Sequence, residues 1–141
     1  MRIKKEPLLS RNKKRLCHAI AFLALFLVEA FIALYVHDNF VRPYMGDVLV
    51  VIVVYFFIRI IIPEGFPLLP LYVFLFAVAV EISQYFHLAS SLGLDKKPVL
   101  AIILGGVFDW MDILCYALGC VCIWVATILF RRSSGKPRDR G

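Results

Sequence analysis

The sequence predicts an all-α integral membrane protein with four transmembrane helices and a short re-entrant or outer-leaflet helix before the last one. Hydrophobic residues make up 62% of the chain and charged residues only 18%, and the mean hydropathy is +0.84. These values exclude an ordinary soluble domain. The 141 residues also contain several apolar runs close to the length of about 20 residues that crossing a bilayer requires.

The first predicted span covers residues 16–36 and follows a basic tail, residues 1–15. Its apolar run is too long for a signal peptide, and no clean cleavage site of small residues follows it. A loop over residues 37–46, which contains Pro43 and Gly46, is then predicted to interrupt the helix.

The second span, residues 47–62, is short and rich in β-branched residues, but its length and its neighbours favour a helix over a strand. Three prolines, Pro63, Pro67 and Pro70, mark the following turn. The third span covers residues 71–88.

Residues 99–130 form an apolar stretch that would be about 48 Å long as one helix, which exceeds the hydrocarbon core of about 30 Å. The adjacent Gly105 and Gly106 suggest where this stretch divides. We therefore predict a short outer-leaflet or re-entrant segment over residues 99–107 and a fourth span over residues 112–130. The membrane domain as a whole is residues 16–130.

The basic residues indicate an orientation. The net charge is +6, and twelve of the 16 lysines and arginines lie in the tails, residues 1–15 and 131–141. The positive-inside rule therefore places both termini in the cytoplasm. The tails are expected to bind anionic headgroups, and Arg59 to extend toward the same surface. Nucleic acid is not an expected partner, because no folded module accompanies the basic segments.

Six acidic or amide side chains form the candidate site. Each acid in hydrocarbon costs roughly 2.5–3.5 kcal/mol even on mild scales, so each requires a partner or a function. The predicted topology brings them to the outer half of the bundle from four segments, and helical spacing aligns several on common faces. They are predicted to form a polar cleft open to the outer side: Glu29, Asp47, Glu81, Gln84, Asp109 and Asp112.

Structural roles compete with this hypothesis. Polar side chains often join helices in membranes, which is the commoner role for an isolated acid such as Glu29, and Asp47 is also placed to cap a helix. The other four groups are acids or an amide without a cation to pair with in a span: Glu81, Gln84, Asp109 and Asp112. Like charges in such a cleft retain protons or recruit a cation, and this favours a functional role.

Accessory residues are fewer and less specific: His37, Arg42, His87 and Tyr116. The two histidines lie near the acids, but histidine is common at membrane interfaces, so neither a metal nor a cofactor is predicted. The sequence has no phosphate-binding loop and no nucleophile–base motif. The catalytic residues of an enzyme are therefore unidentified, and a non-enzymatic function is favoured.

Three stretches, residues 29–47, 80–87 and 104–119, resemble the DUF2809 family of small bacterial membrane proteins of unknown function. The resemblance covers most of the chain outside the charged tails. It implies a multi-pass protein of the bacterial inner (cytoplasmic) membrane with about four spans and no assigned activity.

A looser resemblance is to VanZ-like proteins, which are associated with the cell envelope and glycopeptide resistance. The positions that match are Glu81, Gln84, Asp109, Asp112 and Gly119. The chain departs from that pattern because Gly105 and Gly106 stand where a glycine–arginine pair is expected, and Tyr116 where an asparagine is expected.

Three functions remain open. The protein could bind an envelope lipid or lipid-linked headgroup in the acidic cleft, with membrane lipids as its partners. It could instead be a small proton- or cation-coupled carrier, since acids within spans are common in such pathways. It could also be a structural scaffold subunit, and a homo-oligomer is compatible with the last two hypotheses.

Overall fold

The computed structural model describes residues 8–93, 96–99 and 106–134, and within them every regular element is a helix. The elements are α1 (Leu8–Tyr35), α2 (Val41–Ile61), α3 (Leu69–Tyr85), the single turn α4 (Leu88–Ser91) and α5 (Trp110–Ser134). The prediction of an all-α protein is confirmed. Most of the predicted segment 99–107 and the outer parts of both tails lie outside the described residues.

Three helices, α1, α2 and α5, are long and apolar enough to cross a membrane. Helix α3 is apolar but has 17 residues, or about 25 Å at roughly 1.5 Å per residue. Large apolar side chains cover the outer surfaces of the bundle; Phe31, Phe76 and Trp124 are each more than half exposed. A surface of this kind requires an apolar surrounding.

Helix α2 is the centre of the bundle. It packs against α1, α3 and α5, and α3 also packs against α5. Among the described helices, α1 contacts only α2, so no close backbone contact joins α1 to α3. We call the end at which α1 and α3 finish and α2 and α5 begin the acidic end, and the other the opposite end.

The core is small and lies where α2, α3 and α5 meet. It contains Val51, Tyr55, Leu69, Val73, Tyr116 and Ile123. Gly119 of α5 allows the closest approach, because a Cβ atom there would lie 2.7 Å from the carbonyl oxygen of Val48 on α2. The glycine therefore sets the spacing of these two helices.

Helix α2 begins earlier than the sequence suggested, at Val41 rather than at Asp47. The predicted loop 37–46 is thus only partly a loop. Pro43 lies in the first helical turn, where a backbone N–H would make no hydrogen bond within the helix, so a proline is tolerated there. The carboxylate of Asp38 accepts hydrogen bonds from the backbone N–H groups of Val41 at 2.8 Å and Arg42 at 3.0 Å. Asp47 therefore does not cap the helix.

Arg59 was expected to extend to the headgroups, and the structure corrects this. Its side chain is 7% exposed, donates to Tyr55 Oη at 3.1 Å and to the carbonyl oxygen of Phe66 at 3.0 Å, and lies over the Tyr55 ring. These partners fix the α2–α3 loop. Nearby, Lys14 of α1 pairs with Glu64 of that loop at 2.6 Å.

The third helix ends at Tyr85, before the predicted limit of residue 88. His87 follows with φ 50°, a left-handed conformation that is uncommon for residues other than glycine and interrupts the α-helix. The chain then turns into the short helix α4. The result is that α3 carries Glu81 and Gln84 in its last two turns, at the acidic end.

Candidate functional site

A cavity of about 770 Å³ lies on α2, between α1 and α3. Its lining is polar at the acidic end, where it includes Glu29, Asp47 and Gln84, and apolar toward the middle of the bundle. The apolar lining residues come from α2 and α3: Val50, Val51, Val54, Val73, Phe76, Ala77 and Val80. No close backbone contact joins α1 to α3, the two helices on either side of the cavity. This volume lies within the range of small-molecule sites.

Two aspartates from different helices form the centre of the acidic end. Asp47 of α2 and Asp112 of α5 are close enough for their carboxyl groups to share a hydrogen bond. A carboxylate has no hydrogen to donate, so such a bond requires a proton on one of the two groups. Glu29 and Glu81 lie within electrostatic range of Asp47. We call Glu29, Asp47, Glu81 and Asp112 the carboxyl cluster.

Glu81 is the most deeply buried acid, with a side chain that is 2% exposed. Its Oε1 atom accepts a hydrogen bond of 2.8 Å from the hydroxyl of Tyr116 on α5, and the backbone N–H of Asp109 also faces this carboxyl group. Its Oε2 atom is buried and makes no well-formed hydrogen bond within the described residues. Glu29 of α1 also has a buried Oε2 without such a partner.

Gln84 lines the cavity beside Gly106. A Cβ atom at Gly106 would lie 2.9 Å from Nε2 and 3.1 Å from Oε1 of the glutamine. A glycine is therefore needed there for the amide to keep its place. Gly106, one of the two glycines at which the sequence predicted a division, thus also gives Gln84 its space in the site. Gly105 lies outside the described residues.

Asp109 has a different role from the one predicted. Its side chain accepts a hydrogen bond of 2.9 Å from the N–H of Met111 and its carbonyl oxygen accepts from the N–H of Asp112 at 3.2 Å, so it caps the start of α5. It is exposed and does not line the cavity. Its charge still acts on Glu81 and Asp112.

The accessory residues divide into two groups. Arg42 and Tyr116 line the cavity. His37 and His87 are exposed and do not line it, and His37 has its Nδ1 atom 3.1 Å from the carbonyl oxygen of Tyr35. In the part of the chain that the structure describes, no group of three or more His, Cys, Asp or Glu side chains is arranged to hold a metal ion.

The sequence reasoning missed the apolar half of the cavity and its rim. Asp38 and Asn39 lie at the rim, and the position of Asp38 three residues before Val41 is a helix-start signal that could have identified it. The apolar lining residues lie on the same helix face as a polar one. Ala77, Val80 and Gln84 are three and four residues apart along α3 and share one face. That continuity could have indicated an amphipathic cavity.

Comparison with known proteins gives one match. Neither the curated proteins nor the solved structures include a significant match to this chain. A protein-family model described as "Protein of unknown function (DUF2809)" matches residues 36–120. These residues include α2, α3, the start of α5 and most of the carboxyl cluster. The chain therefore belongs to the DUF2809 family.

Proposed function

We propose that this protein binds a membrane lipid or lipid-linked molecule, with the headgroup at the carboxyl cluster and an acyl chain in the apolar part of the cavity. The observation that supports the proposal is the graded lining of the cavity, polar at one end and apolar below. An amphiphile has the same two halves. A soluble polar ligand would gain nothing from the apolar half.

The dimensions support a lipid. The cavity extends along α3 from Val73 to Gln84, about 16 Å at roughly 1.5 Å per residue, which suits part of an acyl chain below a headgroup. The proposed entrance lies between α1 and α3, which no close backbone contact joins. A lipid could therefore enter from the bilayer without crossing the packed core.

The proposed setting is a multi-pass protein of the bacterial inner membrane in which α3 also crosses the bilayer. Both termini would be cytoplasmic, as the basic tails suggest, and the acidic end would face the outer side. The proposed lipid would then belong to the cell envelope, in agreement with the looser VanZ-like resemblance. A reporter fused at Ser91, next to the acidic end, should give a signal from the outer side.

Filling the apolar half of the cavity tests the proposal. Ala77 lines the cavity and Ala79 is exposed on the same helix, so Ala77→Leu and Ala79→Leu add the same atoms in different surroundings. Native mass spectrometry of the purified protein with its copurified lipids should show a specific lipid on the wild type and on Ala79→Leu. Ala77→Leu should lose it. Equal retention by all three proteins would refute lipid binding in this cavity.

The other functions have less support. A carrier needs a polar path through the molecule, and below the cavity the described core contains the apolar residues Leu69 and Ile123, each 6% exposed. The buried Arg59 is engaged with Tyr55 and Phe66. The scaffold hypothesis predicts a copurifying protein, which the same mass spectra would reveal.

A further inference from the structure

The carboxyl cluster has more hydrogen-bond acceptors than donors. Its four carboxyl groups come from four different helices, and the hydroxyl of Tyr116 supplies one donor, to Glu81. The Oε2 atoms of Glu29 and Glu81 are both buried without a hydrogen-bond partner among the described residues. Unpaired buried acceptors cost free energy, and because Glu29 lines the cavity, a donor bound there would recover that cost for its Oε2 atom.

The charged surroundings of Asp47 are mostly acidic. From its own helix, Arg42 lines the same cavity, and Asp38 lies at the rim. The other helices contribute ionisable groups that face it or its partner Asp112: Glu29 from α1, Glu81 from α3, and Asp109, Cys115 and Tyr116 from α5. Among the described residues that line the cavity, Arg42 is the one cation.

A primary ammonium group has the complementary chemistry. It carries one positive charge, has three N–H donors and has no acceptor. A quaternary ammonium has no N–H group and is usually held by several aromatic rings, whereas the described residues of this lining include two aromatic side chains, Phe76 and Tyr116. An anionic headgroup without an amine would meet the carboxyl groups unfavourably.

We infer that the carboxyl cluster binds a primary ammonium group in exchange for the proton that Asp47 and Asp112 share, an inference that rests on the proposed lipid-binding function. The exchange is balanced in charge: the ammonium enters with one positive charge, and the shared proton leaves to solvent. Both aspartates are then ionised, and Asp47, which lines the cavity, accepts an N–H hydrogen bond. Arg42, at the same end of the cavity, is placed to pair with a phosphate next to the amine.

Isothermal titration calorimetry of the purified full-length protein with short-chain phospholipids tests this. Phosphatidylethanolamine should bind at least about tenfold more tightly than phosphatidylcholine or phosphatidylglycerol with the same chains, a difference of about 1.4 kcal/mol. Its affinity should rise with pH by up to about tenfold per unit, since binding releases one proton. Titrations in buffers of different ionisation enthalpy should measure that proton directly.

Variants locate the effect. Asp47→Asn keeps a hydrogen bond to Asp112 through its amide but removes the shared proton and one carboxylate, so it should bind the ethanolamine lipid less tightly than the wild type does and release no proton. Asp112→Asn should do the same and serves if Asp47→Asn does not fold. Lys13→Gln, which removes a charge at an exposed position of the opposite end, should match the wild type.

The outcomes separate this inference from the function on which it rests. Equal binding of the three phospholipids at every pH would overturn ammonium recognition while lipid binding stands. If no phospholipid binds, both ammonium recognition and lipid binding are overturned. The Ala77→Leu experiment would then also show no lipid that is specific to the wild type. Free ethanolamine that binds as tightly as the lipid would establish the ammonium site and overturn its lipid source.

Discussion

Adding one methyl group at Gly119 should reveal how tightly α5 packs against α2. The Cβ of Gly119→Ala would lie 2.7 Å from the carbonyl oxygen of Val48 and 3.5 Å from the Cβ of Val51. The first distance is shorter than real Cβ contacts, and the atom that it meets belongs to the backbone of a helix. That oxygen cannot rotate away, so the two helices must separate.

The net effect follows from two opposing terms. Alanine in place of glycine inside a helix is favourable by about 1 kcal/mol. Overpacking costs about 1–3 kcal/mol, and a clash with the backbone belongs in the upper part of that range. We expect Gly119→Ala to lower the free energy of unfolding by about 1–2 kcal/mol. Because Asp47 is the residue before Val48, the same displacement should weaken the Asp47–Asp112 pair and reduce ligand binding.

Reversible unfolding in mixed micelles, followed by the fluorescence of Trp110 and Trp124 on α5, would measure the change. Ala126→Ser is the matched control, because it adds one heavy atom at an exposed position of the same helix and should leave the unfolding midpoint within error. A Gly119→Ala protein that is as stable as the wild type, or more stable, would show that α2 and α5 are not in close contact and would refute the reasoning.

Three further predictions use the same unfolding assay. Tyr116→Phe removes the donor to buried Glu81 and should lower the free energy of unfolding by about 1–3 kcal/mol. The double variant with Glu81→Leu should lose less stability than the two single variants together, and strict additivity would contradict the hydrogen bond. Arg59→Met leaves two oxygen acceptors unpaired and should also cost about 1–3 kcal/mol, whereas a neutral effect would argue for a headgroup contact. Hydrogen bonds from backbone N–H groups, the largest effect being that of Val41, lower the pKa of Asp38. The ionised carboxylate therefore adds to the free energy of unfolding above the ordinary pKa of aspartate, and this stabilisation is lost as the pH falls through the lowered pKa. The stability lost in Asp38→Asn should therefore be largest at neutral pH and vanish in strong acid, and a pH-independent difference would contradict this role.

The helices were predictable from the sequence because apolar runs of this length allow few other folds. Their limits were less predictable. Pro43 was taken as a break because proline interrupts helix interiors, but it lies in the first turn, where that penalty does not apply. His87 ends α3 through a left-handed backbone conformation that no residue type in the sequence announces.

The sequence could place the polar residues at one end of the bundle but could not give their pairing. Helical spacing placed Glu81 with Gln84 and Asp112 with Tyr116, and the structure places all four at the acidic end. Which acids face each other depends on how the helices are rotated and which ones touch. That information lies in tertiary packing, and a sequence pattern gives only the face of each helix. Arg59 was misassigned for the same reason, since its partner Phe66 lies in a loop beyond the helix.

The weak attachment of α1 accounts for the position of the cavity. Helix α1 is held by α2 and, at the opposite end, by Lys14 with Glu64. At the acidic end it contributes Glu29 to the cavity and makes no close contact with α3. A ligand entering between α1 and α3 therefore breaks none of the core contacts among α2, α3 and α5.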